Sequence, residues 1–228
     1  MRKISPVWRA LLLTFICTLL LCGCAKNNTL NLVTDEDGLF LEPKSGIRYA
    51  AAPMCYEPQT VGEPYASFSL GSLEVVFHEV AGLEPTRWLT EDYTGTGSML
   101  VAEDITLPDL AGFAPDTLYL CVQGASVWAF AEVTDRAEID ELVRAYTEGE
   151  AVPYPAVTPD ADLRFKFASP DYPGVFYNLI YVDYGDARYL YDRGSGRCVE
   201  IGDLMRDYID GKIITEEETT AQTEASEA

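Results

Sequence analysis

The chain has 228 residues, among them 37 acidic and 16 basic side chains, a single histidine and six cysteines. A net charge of −21 argues against a nucleic-acid-binding protein, because neutralising phosphates requires clustered lysine and arginine. An apolar fraction of 48% and an aromatic fraction of 11% argue against a disordered chain, and the length suits one compact domain or two small ones.

The amino-terminal residues have the pattern of a secretory signal peptide. Arg2, Lys3 and Arg9 precede an apolar run from Ala10 to Leu21. About twelve residues make only ~18 Å of helix, which is short of the ~30 Å hydrocarbon core of a bilayer. The run therefore predicts the apolar region of a signal peptide and not a membrane-spanning helix.

The run ends in Leu21-Cys22-Gly23-Cys24, and in these residues the chain resembles bacterial lipoprotein precursors. Their lipobox is an aliphatic residue, a small residue, Gly or Ala, and an invariant Cys; Cys22 stands where Ala or Ser is usual. The resemblance covers residues 1–24 only. It implies cleavage between Gly23 and Cys24, a diacylglyceryl group on the Cys24 sulfur, and stable anchoring to the cell membrane on its outward face. Cys22 is the alternative acceptor, but Leu21 is too bulky to precede the cleaved bond.

Composition divides the chain into four segments. We predict a signal peptide at 1–23, the lipidated Cys24 with a short polar tether at 24–36, a single α+β domain at 37–212, and a disordered acidic tail at 213–228. Loss of the leader removes three basic residues, which leaves 13 basic and 37 acidic residues and a net charge of −24. Such a chain is repelled by anionic headgroups and should stand off the membrane.

In the first half of the domain, alternating apolar residues and Pro/Gly breaks predict strands separated by irregular segments. The predicted elements are an opening hairpin of 38–41 and 46–51, a loop at 53–64 that carries Cys55, a strand at 72–80 that carries His78, a helical turn from Pro85 through Trp88 and Leu89, and an irregular stretch at 107–116. Much of this half is therefore expected to be loop.

In the second half of the domain, the spacing of apolar residues predicts clearer strands and both principal helices. Asp135 begins the first helix as its N-cap and Gly149 ends it. Its apolar residues, spaced i, i+3, i+4 and i+7, are Ile139, Leu142, Val143 and Tyr146. The remaining elements are strands at 117–123 and 126–133 joined at Gly124-Ala125, at 163–168, at 175–182 and 187–191 joined at Tyr184-Gly185, and at 197–200, then a helix at 201–210. Together they predict an α+β fold, mainly an antiparallel sheet of hairpins with two principal helices at about 135–148 and 201–210.

Aromatic residues concentrate in the hairpin around Tyr184-Gly185. Pairing outward from this two-residue tip places Tyr181 opposite Arg188 and Ile180 opposite Tyr189. Because side chains alternate along a strand, this register assigns every residue of the hairpin to one of two faces.

The two faces predict different roles. One face lacks charge, so we predict it to be the core; it carries Phe176, Ile180, Val182 and Tyr189. The other carries Arg188 and the residues Tyr177, Leu179, Tyr181 and Leu190. Exposed tyrosine rings can stack on sugars or peptides, so Tyr177, Tyr181 and Arg188 are the candidate ligand-binding residues.

The residues that could carry catalysis form no recognisable motif. Cys55 and His78 could act as a nucleophile and its base, but nothing around Cys55 resembles a peptidase signature. The sequence has no GxSxG elbow, dinucleotide fingerprint or phosphate-binding loop. Its carboxylates are scattered, and one histidine leaves little room for a His-rich metal site. We therefore predict no catalytic residue, no metal site and no cofactor.

The cysteines that remain after export predict at most one disulfide. Loss of the leader and acylation of Cys24 leave Cys55, Cys121 and Cys198, in a compartment that permits disulfides. The sequence has no CxxC motif. We predict no bridge, with Cys121 as a small apolar strand residue; a bridge between two of the three is the alternative.

Two functions are consistent with these patterns. The first is a membrane-tethered extracytoplasmic lipoprotein that acts as a non-catalytic interaction or ligand-capture module, with an envelope protein or a glycan, and not nucleic acid, as its partner. The alternative is an extracytoplasmic hydrolase whose site combines scattered carboxylates or Cys55 and His78. A cleft that gathers these groups would favour the enzyme, and an exposed aromatic surface would favour binding.

Overall fold

The structure, a computed structural model, describes residues 29–91, 99–123 and 127–210. Several predicted features lie outside the described residues, namely the lipobox with Gly23 and Cys24, the Gly124-Ala125 turn and the acidic tail at 213–228. Among the residues that are described, no helix has the length and apolar character needed to cross a bilayer.

Strands dominate the described chain. They are β1 Leu30–Thr34, β2 Phe40–Leu41, β3 Arg48–Ala51, β4 Tyr56–Pro58, β5 Val61–Leu70, β6 Leu73–Val80, β7 Trp88–Glu91, β8 Met99–Ala102, β9 Thr117–Gln123, β10 Val127–Val133, β11 Ala161–Ala168, β12 Val175–Asp183, β13 Arg188–Tyr191 and β14 Cys198–Glu200. The helices are α1 Leu110–Phe113 and α2 Arg136–Glu148, and residues 206–210 are also helical.

Seven strands form a closed barrel in the order β1-β2-β3-β8-β7-β6-β5. Neighbours are antiparallel except β1 and β5, whose parallel pairing closes the barrel. Its interior is a separate apolar cluster of Leu32, Tyr49, Ala66, Phe77, Leu89 and Leu100. Residues 30–34, which we assigned to the tether, are therefore the strand that closes the barrel.

The other strands form a second sheet in the order β10-β9-β11-β12-β13-β14. Strand β12 pairs with β11 along one edge, and its other edge pairs first with β4 and then with β13. Asn178 lies between those two partners, where its backbone N–H donates to the carbonyl oxygen of Cys55 at 2.6 Å. The second sheet thus has a notch at Asn178, between the end of β13 and the start of β4.

The two faces of the second sheet differ in what covers them. The covered face carries Leu118, Leu120, Phe165, Phe167, Leu179, Tyr181 and Leu190. Helix α2 and the barrel residues Trp88, Met99 and Val101 share one buried apolar cluster with this face. The outer face carries Tyr119, Arg164, Lys166, Phe176, Asn178, Ile180, Tyr189 and Tyr191. The structure is mostly β with short helices, so the α+β prediction holds only coarsely: the strands divide between a closed barrel and a second sheet instead of forming one sheet of hairpins.

Helix α2 forms as its local sequence predicts. The Asp135 carboxylate accepts hydrogen bonds from the N–H groups of Ala137 at 2.8 Å and Glu138 at 3.4 Å. All four apolar residues identified by their spacing are buried: Ile139, Leu142, Val143 and Tyr146. The N-cap and the apolar stripe therefore define this helix together.

Removing the N-cap should measurably destabilise the protein. We expect Asp135→Ala to lower the free energy of unfolding by about 1 kcal/mol, because two N–H groups of the first turn lose their acceptor. Denaturant unfolding measures the change. Glu141→Ala, at an exposed position of the same helix, is the control and should change stability by less than about 0.5 kcal/mol. Equal losses in the two variants would contradict the capping role.

The predicted helix at 201–210 is only partly present. Residues 202–205 form turns, and helical structure begins at residue 206. Gly202 and Met205 have φ values of +59° and +69°, which a right-handed helix does not accommodate. Ile201, Met205 and Ile209 are nevertheless buried, so the apolar spacing identified the packed residues but not their backbone conformation.

Three segments of the first half depart from prediction. The loop predicted at 53–64 contains β4 and the start of β5, because two register shifts accommodate Gly62 and Pro64 in the strand. The helical turn predicted through Trp88 ends before that residue, which begins β7. The irregular stretch at 107–116 contains the short helix α1, with Asp109 as its N-cap. The opening hairpin and the strand with His78 are confirmed.

The hairpin of β12 and β13 forms with its register displaced by two residues. Tyr181 pairs with Leu190 and Asp183 pairs with Arg188, so the turn is centred on Gly185-Asp186. The Asp183 side chain accepts a hydrogen bond from the Gly185 N–H at 2.7 Å, and Gly185 adopts a φ of +82°. This local bond selects the turn. A displacement of two residues preserves the alternation, so the predicted membership of the two faces is unchanged.

Candidate functional site

The three predicted ligand-binding residues are buried. Tyr177 is 6% exposed, Tyr181 is 1% exposed and Arg188 is 7% exposed. Tyr181 stacks on Phe165 with ring centroids 5.0 Å apart, and burial raises the pKa of its hydroxyl. All three belong to the covered face, so the prediction that they form an exposed aromatic surface is wrong.

The prediction was wrong because it took the charge of Arg188 as a sign that its face of the hairpin is exposed. Arg188 donates to Asp183 at 3.0 Å, to Asp203 at 2.8 Å and to the carbonyl oxygen of Gly185 at 3.1 Å. These acceptors compensate the buried guanidinium, so its face can pack against the core. The set predicted to be the core, Phe176, Ile180, Val182 and Tyr189, lies on the outer face. Its aliphatic members Ile180 and Val182 are buried there, whereas its two aromatic rings are only partly buried.

The cysteine and histidine of the alternative enzyme lie in different sheets. Cys55 precedes β4 of the second sheet, and burial raises the pKa of its thiol to about 11. His78 lies in barrel strand β6, where its Nδ1 is 3.0 Å from the carbonyl oxygen of Gly62. A thiol with so high a pKa is a poor nucleophile near neutral pH. Cys55, Cys121 and Cys198 are all buried and free in the structure.

The outer face holds a buried ion pair next to the notch. The ammonium group of Lys166 contacts a carboxylate oxygen of Glu57, and the Asn178 side-chain amide donates to the other at 3.0 Å. Lys166 also lies over the Phe176 ring, 5.4 Å from its centroid. The side-chain oxygen of Asn178 is buried and accepts no hydrogen bond from any described residue. Four polar or aromatic side chains from three strands therefore meet at this point.

Two arginines lie beside that ion pair. The Arg164 Nε donates to the Gln123 side-chain oxygen at 2.9 Å. Burial lowers the pKa of Arg164, and the nearby positive charge of Arg193 lowers it further. Within the ranges that the structure describes, neither arginine forms a salt bridge. We call the group of Glu57, Arg164, Lys166, Asn178 and Arg193 the notch cluster.

Aromatic rings surround the notch cluster. Tyr119 meets Phe176 edge-on with centroids 5.8 Å apart. On the other side, Tyr191 packs against Tyr154 of the 151–160 segment at 4.5 Å. Tyr119, Phe176 and Tyr191 are each only partly buried. The outer face thus offers both aromatic surface and positive charge to solvent.

A groove of about 430 Å³ at the barrel rim is a weaker candidate. Its lining includes Arg48 and Arg87. Arg48 pairs with Asp35 at 2.7 Å and with Glu103 at 2.9 Å, and Arg87 pairs with Asp104 at 3.0 Å. These internal partners neutralise both arginines, so the groove offers a ligand little uncompensated positive charge.

The described part of the chain contains no group of three His, Cys, Asp or Glu side chains placed to bind a metal. Comparison with protein-family models, curated proteins and solved structures finds no match.

Sequence reasoning missed the notch cluster although part of its signal is visible. Arg164 and Lys166 alternate with Leu163, Phe165 and Phe167, which predicts a strand with one apolar and one basic face. Glu57 belongs to the segment 53–64, which the sequence predicts to be a loop, and Arg193 lies in the turn between β13 and β14. Their proximity to β11 depends on strand pairing across long sequence separations, which alternation does not reveal.

Proposed function

We propose that this protein is a lipid-anchored, outward-facing membrane lipoprotein that captures a ligand on the outer face of its second sheet. The lipobox supports the anchor. The observation that carries the ligand site is the notch cluster, because an acidic protein here gathers positive charge beside partly exposed aromatic rings. Ligand sites commonly combine such apolar surface with a few convergent polar groups.

The role is binding and not catalysis. The groups of the notch cluster suit recognition, since arginine offers a planar fork of donors and tyrosine offers area at a low cost in conformational entropy. The raised pKa of Cys55 opposes the thiol route that the alternative enzyme requires. An envelope glycan or protein is the expected source of the ligand.

Anchoring is tested by Cys24→Ser. We expect the variant to accumulate as an unlipidated precursor and to lose the lipid-dependent partitioning of the wild type into detergent, because serine cannot accept the diacylglyceryl group through a thioether. Membrane fractionation with mass spectrometry of the amino terminus measures both. Cys22→Ser is the control and should remain lipidated. A mature-size Cys24→Ser protein that still partitions into detergent would show that the acceptor is wrong.

Ligand capture is tested by retention of bound material. The lipidated protein, purified from its native envelope and analysed by native mass spectrometry, should carry a ligand whose occupancy falls at least about tenfold in Tyr191→Ala, because the site loses aromatic contact area.

Trp128→Ala is the matched control. Trp128 is also exposed, but its pairing with Val122 places it on the opposite face of the same sheet. This variant should retain the ligand. A wild-type protein without a ligand, or equal loss in both variants, would contradict capture on the outer face.

A further inference from the structure

We propose that Arg164 and Arg193 together bind a doubly charged oxyanion, a phosphate or sulfate group carried by the captured ligand. This inference rests on the proposed function, because it assigns a ligand chemistry to the outer face. It goes further in naming the two side chains that would hold the charged group.

Strand pairing brings the two arginines together. Arg164 pairs with Ile180, and Ile180 pairs with Tyr191 on the next strand. Arg193 lies two residues beyond Tyr191, in the turn between β13 and β14. This turn reaches the notch, because Gly194 approaches Met54, and the carbonyl oxygen of the next residue, Cys55, accepts from the Asn178 N–H. Gly194 approaches Met54 so closely that an added Cβ would lie 3.2 Å from the Met54 nitrogen. That packing holds the turn against the residues just before β4.

Among the described residues, no carboxylate lies within salt-bridge distance of either guanidinium group, although the negative charges of Glu57 and Asp162 raise the pKa of Arg164 and partly oppose the effect of Arg193. The chain has 37 acidic and 16 basic residues. Within the described ranges, six basic side chains form salt bridges, yet Arg164 and Arg193 form none: the six are Arg48, Arg87, Arg136, Lys166, Arg188 and Arg206. Arg164 is hydrogen-bonded to a neutral amide, and Glu57 is already occupied by Lys166 and Asn178.

Two neighbouring guanidinium groups favour a doubly charged partner. Holding like charges together in a partly buried place is unfavourable, and an anion between them reverses the sign of that interaction. Phosphate and sulfate oxygens match the fork of donors on arginine and form charge-assisted hydrogen bonds with it. A monovalent carboxylate would supply only one negative charge for the two guanidinium groups.

The two arginines are accessible to an anion, whereas the rest of the surface is unfavourable for one. Arg193 is exposed and Arg164 is partly exposed, so an anion can reach both from solvent. The net charge of the whole chain repels anions at long range, which makes nonspecific anion binding elsewhere on the surface weak. Binding in this protein should therefore depend on these two side chains and not on overall charge.

The test is calorimetric titration of the full-length lipidated protein, in a nonionic detergent, with inorganic phosphate and with sulfate at constant ionic strength. We expect saturable binding of at least one oxyanion, weakened about tenfold or more by Arg164→Gln and by Arg193→Gln. Acetate should bind about tenfold more weakly than the oxyanion. Arg144→Gln is the control, because Arg144 is exposed on α2. The affinity of this variant for the oxyanion should equal that of the wild type.

The possible results separate this inference from the proposed function. The oxyanion site is overturned if neither phosphate nor sulfate binds saturably. It is also overturned if Arg144→Gln weakens oxyanion binding as much as Arg164→Gln and Arg193→Gln do. If the oxyanion site is overturned while Tyr191→Ala still loses the envelope ligand, the proposal of ligand capture stands without the oxyanion site. Oxyanion binding that requires both arginines supports the site, even where an envelope ligand proves to be absent. Unchanged denaturation midpoints of the arginine variants establish that lost binding is not lost folding.

Discussion

Replacing Tyr181 with alanine is expected to lower the free energy of unfolding by about 3–4 kcal/mol, the cost of removing a large aromatic ring from a packed core. Tyr181 is 1% exposed and stacks on Phe165, with an interplanar angle of 6°. Its hydroxyl also donates to Asp183 at 3.3 Å. Denaturant unfolding monitored by circular dichroism measures the change.

Tyr189→Ala is the matched control, because Tyr189 lies on the adjacent strand β13 but belongs to the outer face. It is only partly buried, so its loss should cost less than about 1 kcal/mol. The ratio of the two effects tests the assignment of faces directly. A larger loss in Tyr189→Ala than in Tyr181→Ala would mean that the faces are reversed.

Replacing Lys166 with methionine is expected to cost about 3 kcal/mol, because it leaves a nearly buried carboxylate without its cation. The side chains of Lys166 and Glu57 are 11% and 14% exposed, so solvent compensates little of the lost attraction. Methionine preserves most of the volume of the lysine side chain, which limits any cavity. Chemical denaturation measures the loss.

The double variant Glu57→Gln with Lys166→Met should recover most of that stability, because neither member of the pair is then charged. Arg136→Met breaks an exposed pair with Asp140 on α2 and a hydrogen bond to the Pro115 carbonyl oxygen, and it serves as the control; it should cost about 1 kcal/mol, well below the loss in Lys166→Met. A double variant as unstable as Lys166→Met alone would show that lost packing, and not the unpaired carboxylate, is responsible.

The sequence predicted an element correctly where the residues that define it are close together in the chain. Helix α2 needs only its N-cap at Asp135 and an apolar stripe, both of which lie within one short segment. The hairpins of β9 with β10 and β12 with β13 are likewise set by alternation and a turn signal. The predicted turn centre of the second hairpin was wrong by one residue, because that centre depends on a single hydrogen bond that the Asp183 side chain accepts from the Gly185 N–H.

Pairing between distant segments could not be predicted from these patterns. Strand β1 closes the barrel by joining β5, more than thirty residues away, and β4 joins β12 across more than a hundred residues. Alternation indicates that a strand has two faces but carries no information about its neighbours. Both segments therefore appeared in the sequence as polar tether or loop.

The sequence by itself determined the two sets of residues on β12 and β13, since alternation is a property of the strand. Which set joins the main core was decided by tertiary structure, because α2 and the barrel pack on one face; Ile180 and Val182 of the other set are buried outside that cluster. Arg188 could be buried because Asp203, from a later segment, supplies one of its acceptors. The contact of Lys166 with Glu57, and the approach of the turn that carries Arg193 to the residues before β4, exist only after long-range pairing has aligned β4, β11, β12 and β13.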